Sequence, residues 1–176
     1  MKKIKILYVF GYGDNPMSEK FISIKDLINK KKFEIISDYY AQYSPKEAKY
    51  DLENLIKDNN IDIIIGEELG GYLISLLDNC IIKKISINPL YDPIKELKEY
   101  TTKTIDENGK EIEIPLVPDH IIKFYTDNKC EENFNNIKCI YSDISKTNKY
   151  KEQYKDIKYS EDILNTIIEE IESYIS

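Results

Sequence analysis

The stretch Ile61 to Leu77, "IDIIIGEELGGYLISLL", runs an apolar segment into Gly66-Glu67-Glu68-Leu69-Gly70-Gly71 and then into a second apolar segment. Small residues two before and two after a central side chain are what a nucleophile elbow requires, because a strand and a helix close tightly around a strained turn. Gly66 and Gly70 meet that requirement, and the central residue is Glu68. The rival reading, a glycine-rich phosphate loop, lacks both a Gly-Lys-Ser/Thr ending and a GxGxxG pattern, and two adjacent carboxylates repel phosphate. A carboxylate at an elbow can act as a nucleophile, forming an ester that a His-activated water then cleaves. The chain holds one histidine, His120, for which a structural or surface role is expected. The alternative pairs Glu68 with Asp143, with a water or a metal. Two carboxylates without histidine suit only a hard cation such as Mg²⁺ or Ca²⁺, so neither a metal nor a cofactor is expected.

These residues need elements to place them. Apolar runs alternate with helix-period segments, the pattern of a parallel sheet covered on both faces. Strands are predicted at Ile4 to Phe10, Phe33 to Ser37, Ile61 to Ile65, Ile82 to Ile87 and Ile137 to Tyr141. Helices are predicted near Glu19 to Lys30, Pro45 to Asn59, Gly70 to Asp78, Pro93 to Tyr100 and Glu161 to Tyr174. Ser44-Pro45-Lys46-Glu47 combines a capping box with proline at the first helical position. The last helix is expected to start after Ser160, with Glu161 and Asp162 in its first turn. Residues 101–119, "TTKTIDENGKEIEIPLVPD", alternate on both sides of Asp106-Glu107-Asn108-Gly109, which predicts a β-hairpin. It reads equally as a lid, a homodimer edge or an exposed excursion. The expected fold is α/β, a doubly wound, mainly parallel five-stranded sheet in the order 2-1-3-4-5, with helices on both faces and residues 1–176 as one domain. In such a sheet ligands gather beyond the C-terminal strand ends. Gly11 to Pro16, Gly66 to Gly71 and Ser142-Asp143 should therefore converge.

Composition bounds the function. With 176 residues, 41% hydrophobic and 32% charged, the chain can bury a core without disulfides or metals. A net charge of -7 argues against nonspecific nucleic-acid binding, which needs a basic face. Lys30-Lys31-Lys32 reads as a solvated helix end. The apolar run after Met1 is short, has no cleavage site and stops at Gly11, so it reads as a buried strand and not as a signal peptide. No segment reaches the roughly 18 apolar residues of a membrane span, and a cytoplasmic location is expected. Cys80, Cys130 and Cys139 are odd in number and form no CxxC pair, and Cys139 reads as a core residue.

The chain resembles the small YqiA-type esterases of the α/β-hydrolase superfamily, minimal members without a large cap. Phe10-Gly11-Tyr12-Gly13-Asp14-Asn15-Pro16 stands where the family has a His-Gly-Phe-type loop, and Ala41 to Ala48 resembles its entry to the second helix. Gly66 to Tyr72 matches its Gly-Ser-Ser-Leu-Gly-Gly-Tyr elbow, Ile87-Asn88-Pro89 its Val-Asn-Pro, and Tyr141-Ser142-Asp143 its Thr-Gly-Asp. The resemblance implies Glu68 at the nucleophile position, Asp143 at the acid position, and the backbone amides of Leu69 and Tyr12, beside Gly11, as oxyanion donors. It places the family's histidine near Lys155 to Ser160, where this chain has none. His120 precedes the fifth strand, out of the expected order. The reading is therefore an esterase-like fold that has lost its Ser-His pair and binds a small molecule or a protein partner. The alternatives are a divergent hydrolase using Glu68 and Asp143, or a structural or oligomerisation module. Glu67 and Glu68 begin a helix, whose free amides and dipole favour a carboxylate by roughly 0.3–1 kcal/mol. Glu68 is accordingly expected to be held at the start of that helix, within reach of backbone amides that otherwise lack partners, and a carboxylate folded onto the amides of Tyr12 and Leu69 would favour the binding reading.

Overall fold

Six parallel strands form the sheet, in the order β2-β1-β3-β4-β7-β8. They are β1 (Ile4–Val9), β2 (Phe33–Ile36), β3 (Ile63–Glu67), β4 (Lys83–Ile87), β7 (Ile137–Tyr141) and β8 (Asp156–Tyr159). The computed structural model describes residues 3–29, 33–78, 82–134, 136–152 and 154–174. Cys80 and the run Lys30-Lys31-Lys32 lie outside them. The five expected strands stand in the expected order, and β8 adds a sixth at the edge, pairing Lys138 with Asp156 and Tyr141 with Tyr159. Strand β3 reaches Glu67, so Gly66 lies within the strand, opposite Val9 of β1 and Ser86 of β4.

Alternation along the strands divides the core. Leu7, Val9 and Ile64 pack with Leu52 and Ile56 of α2 (Pro45–Asn59), Leu69 and Leu73 of α3 (Leu69–Leu73), and Ile121 and Tyr125 of α5 (Asp119–Asp127). Ile6, Tyr8, Ile63 and Ile65 face the other way, toward Phe21 and Ile28 of α1 (Glu19–Asn29) and Ile167 and Ile171 of α7 (Ile163–Ser173). Each buried isoleucine contributes about 1.5–3 kcal/mol, so both layers hold the strand ends in place. Cys139 is a fully buried core residue beside Tyr141 and Tyr154, and burial pushes its thiol pKa up.

Several boundaries differ from expectation. Ser44 is the N-cap of α2 and Pro45 opens the helix, but the serine side chain makes no capping hydrogen bond. The helix expected to run to Asp78 is α3, continued by one 3₁₀ turn over Ile74–Leu76. The helix expected over Pro93 to Tyr100 is α4 (Pro93–Glu96) followed by a 3₁₀ turn over Leu97–Glu99. Asp162 caps α7 by accepting from the Asn165 amide, so Glu161 lies outside that helix. The hairpin consists of β5 (Thr101–Ile105) and β6 (Glu111–Pro115), antiparallel, with Thr101 opposite Pro115. Its loop closes on Asp106, whose carboxylate accepts from the amides of Asn108 and Lys110, with Gly109 at φ 77. Helix α6 (Ile144–Tyr150) follows β7. Among the described residues no helix is long and apolar enough to cross a membrane.

Candidate functional site

The elbow is built as its glycine spacing requires. Glu68 sits between β3 and α3 at φ 47 and ψ -110, a strained conformation for a residue with a side chain. Three backbone hydrogen bonds hold it there: its N–H donates to the Ile87 carbonyl at 2.9 Å, and its carbonyl accepts from the amides of Tyr72 and Leu90, each at 3.1 Å. A Cβ on Gly66 would lie 2.5 Å from the Gly70 carbonyl oxygen, and one on Gly70 would lie 2.2 Å from that of Val9. Neither position tolerates a side chain without moving backbone.

The Glu68 side chain does not go where the dipole argument sent it. An N-cap residue reaches its helix amides from extended backbone, and the left-handed φ of Glu68 rules that geometry out; its side chain makes no cap hydrogen bond. The half-buried carboxylate instead lies over Gly11, with Oε2 2.9 Å from where a Gly11 Cβ would be, and accepts from the Tyr100 hydroxyl at 3.2 Å. Burial, and then the Glu68 charge, push the Tyr100 phenol above the usual tyrosine range, so it remains a donor. Among the described residues, neither the Tyr12 nor the Leu69 backbone N–H donates to a protein acceptor. Glu67 ends β3 pointing to the other face, where it is buried and accepts from the Tyr8 hydroxyl at 2.6 Å.

The neighbouring loops are tied down by polar side chains. Gly13, at φ 80, turns the loop after β1, and its amide donates to Gln42 Oε1 at 2.9 Å while Gln42 Nε2 donates to the Asp14 carbonyl at 2.9 Å. Tyr40 donates its hydroxyl to the Phe10 carbonyl at 2.5 Å. At the other side, Asn88 Oδ1 accepts from the Ser142 amide at 2.8 Å, joining the end of β4 to the end of β7. The three expected loops therefore follow the C-terminal ends of β1, β3 and β7, at one end of the parallel sheet.

Asp143 is exposed and caps α6, accepting from the amide and hydroxyl of Ser145 at 2.8 and 2.7 Å, which hold its carboxyl below the ordinary range. It lines a cleft of about 430 Å³ with Tyr91, Glu96 and Lys146. Among the described residues no hydrogen bond joins it to Glu68. His120 is exposed, second in α5. Residues 156–159 are strand β8, so the loop at the elbow's end of the sheet begins only at Ser160, followed by Glu161 and Asp162. Among the described residues no group of three or more His, Cys, Asp or Glu is placed to hold a metal ion. Tyr100 was not legible in advance. Tyrosine is common in this chain, 15 residues in all, and only the position before the hairpin distinguishes this one.

A strand-elbow-helix unit with this backbone, on a sheet of this order, accords with one family whose model spans residues 5–168: the uncharacterised protein family UPF0227. The chain belongs to this YqiA-like esterase family. UPF0227 membership agrees with the solved structures it resembles. Est1E from Butyrivibrio proteoclasticus superposes with a TM-score of 0.65 at 11% identity, over 99% of this chain and 87% of that one. Mouse alpha/beta hydrolase domain-containing protein 10 gives 0.63 at 12%, over 97% and 89%. A putative hydrolase from Agrobacterium vitis S4 gives 0.62 at 10%, over 90% and 78%. At these identities the likeness shows the α/β-hydrolase fold. No curated protein matches the chain.

Proposed function

We propose that this UPF0227 member is an α/β-hydrolase-fold protein without serine-esterase turnover, which acts by binding a ligand or protein partner at its elbow. The observation that carries the reading is Glu68 itself, a carboxylate at the elbow apex engaged by the Tyr100 hydroxyl. A carboxylate there opposes the negative charge that an oxyanion hole exists to stabilise. The residues at the family's acid and histidine positions point the same way: Asp143 is occupied in capping α6, and the loop after β8 is Ser-Glu-Asp. Without a general base no hydroxyl or water near the elbow is activated.

One observation favours a second reading, a divergent hydrolase with Glu68 as nucleophile. Among the described residues the amides of Tyr12 and Leu69 donate to no protein acceptor and could serve as oxyanion donors. Hydrolysis of p-nitrophenyl acetate and butyrate by the wild type and by Glu68→Ala, after exhaustive removal of contaminating esterases, separates the two. Background rates for both proteins are expected. Turnover present in the wild type and lost in Glu68→Ala would make Glu68 catalytic and end the inactive reading.

A further inference from the structure

The hairpin of β5 and β6 is not part of the six-stranded sheet: all five residues of each strand are exposed, and among the described residues no third strand joins them. A two-stranded ribbon by itself is marginal in water. Its hydrogen-bond phase is fixed at both ends, because the Leu116 amide donates to the Tyr100 carbonyl at 2.8 Å and the Asp106 amide to the Lys110 carbonyl at 2.9 Å. Bonded and non-bonded pairs alternate along an antiparallel ladder. In the register that sets Thr101 opposite Pro115 and Ile105 opposite Glu111, the bonded pairs are therefore Thr102 with Ile114 and Thr104 with Ile112. The backbone N–H and C=O groups of Thr101, Lys103 and Ile105 point out from the β5 edge, and those of Glu111 and Glu113 from the β6 edge. Pro115 falls at an outward position of β6, where its missing N–H costs the hairpin no bond.

We propose that the β5 edge is a homodimer interface, in which β5 pairs antiparallel with β5 of a second copy about Lys103 and makes a four-stranded sheet in the order β6-β5-β5-β6. The proposal is independent of the elbow reading. In that register the edge is complementary to itself: Thr101 faces Ile105 of the second copy, Lys103 faces Lys103, and every outward backbone group on either β5 finds a partner. The one like-charge pair is neutralised on both sides, since each Lys103 is held by Glu111 of its own hairpin at 2.8 Å. The face that carries Thr102, Thr104, Ile112 and Ile114 has no charge, and pairing continues it across the dimer with Thr102 opposite Thr104. The β6 edge is a poorer match to itself. The same operation there sets Glu113 against Glu113, whose carboxylate accepts from the Thr101 hydroxyl and, among the described residues, makes no ion pair. Like charges directly opposite are destabilising, and Pro115 withholds a donor from that edge. Two copies of net charge -7 repel, and five-residue strands pair over only about 17 Å, so the dimer is weak, with Kd about 10–100 μM.

The test is sedimentation velocity together with residue-resolved amide hydrogen exchange on the full chain, at about 10 μM and about 1 mM protein. The dimer should dominate at the higher concentration, where exchange at the Thr101, Lys103 and Ile105 amides should slow about five- to tenfold. The Glu111 and Glu113 amides should exchange alike at both concentrations, and those of Thr104 and Ile114 should be protected at both by the hairpin itself. Lys103→Pro removes the central outward N–H without breaking a bond of the hairpin and should leave a monomer. Glu113→Pro, the same change on the β6 edge, should leave the dimer. Should Lys103→Pro undo the hairpin, seen as lost protection at Thr104 and Ile114, the wild-type exchange pattern decides alone. A monomer at the higher concentration, concentration-dependent protection at Glu111 and Glu113 in place of β5, a dimer whose hairpin amides do not change, or a dimer that survives Lys103→Pro would each overturn the proposal.

Discussion

Glu68 holds a backbone conformation that costs a residue with a side chain on the order of 1–3 kcal/mol, and the cost persists because three backbone hydrogen bonds determine it. The Tyr100 hydroxyl offsets part of that cost. Removing it with Tyr100→Phe should lower stability by about 1 kcal/mol, read from the urea midpoint. In a Glu68→Ala background the same change should cost nothing, because the acceptor is gone; a cycle of the two substitutions isolates the pair. Additive losses would mean that the 3.2 Å contact contributes no energy. Installing turnover is a harder demand on the same residue. Glu68→Ser alone should remain inactive, since the new hydroxyl has no base. A histidine must be added at the C-terminal end of β8, as in Ser160→His or Glu161→His, and not within residues 156–159, which are paired strand. Gain of p-nitrophenyl acetate hydrolysis by Glu68→Ser without an added histidine would contradict this account.

The strand-elbow-helix unit depends on glycines for its closeness. Gly70→Ala forces a Cβ into the carbonyl oxygens of Val9 and Phe10, at 2.2 and 2.4 Å, and both are backbone. Such overpacking costs typically 1–3 kcal/mol, so a fall in Tm of roughly 3–10 °C is expected from calorimetry. Gly109→Ala, where no atom lies within 4 Å, is strained only by its φ of 77 and should cost less. Legibility in the sequence followed the same physics. The elbow glycines, the five strands with apolar runs and the 101–115 hairpin declare themselves through spacing and alternation. Strand β8 did not, because "DIKY" is four residues, half of them charged, as suits an exposed sheet edge. Helix α6, "ISKTNKY", buries only Tyr150 and so shows no apolar stripe. At the site, the position of Glu68 followed from the motif, while its partner did not. Local rules favour the helix amides, whereas the turn's own φ turns the side chain over Gly11 toward a residue 32 positions away.

Across the whole molecule, tyrosine carries much of the core. Tyr8, Tyr72, Tyr125, Tyr141 and Tyr154 are buried, and burial is the first cause raising each phenol's pKa above its ordinary value. Several also donate to fixed acceptors, Tyr125 to the Gln42 carbonyl at 2.7 Å and Tyr141 to the Pro89 carbonyl at 3.1 Å. In the unfolded chain these phenols ionise near pH 10. A folded pKa above the unfolded one means that the folded protein holds these protons more tightly, so the associated stability is whole below about pH 10 and lost as pH rises beyond it. Each tyrosine that ionises only on unfolding adds a slope of about -1.4 kcal/mol per pH unit. Five acting together make the fall steep, and the net charge of -7 adds repulsion in the same direction. Urea midpoints should therefore stay nearly level from about pH 8 to 9.5 and drop sharply by about pH 11. Phenolate absorbance from the buried set should appear only with loss of circular dichroism. Phenolate forming at the five buried tyrosines while the fold persists would show that they are open to solvent, and would remove them as the source of alkaline instability.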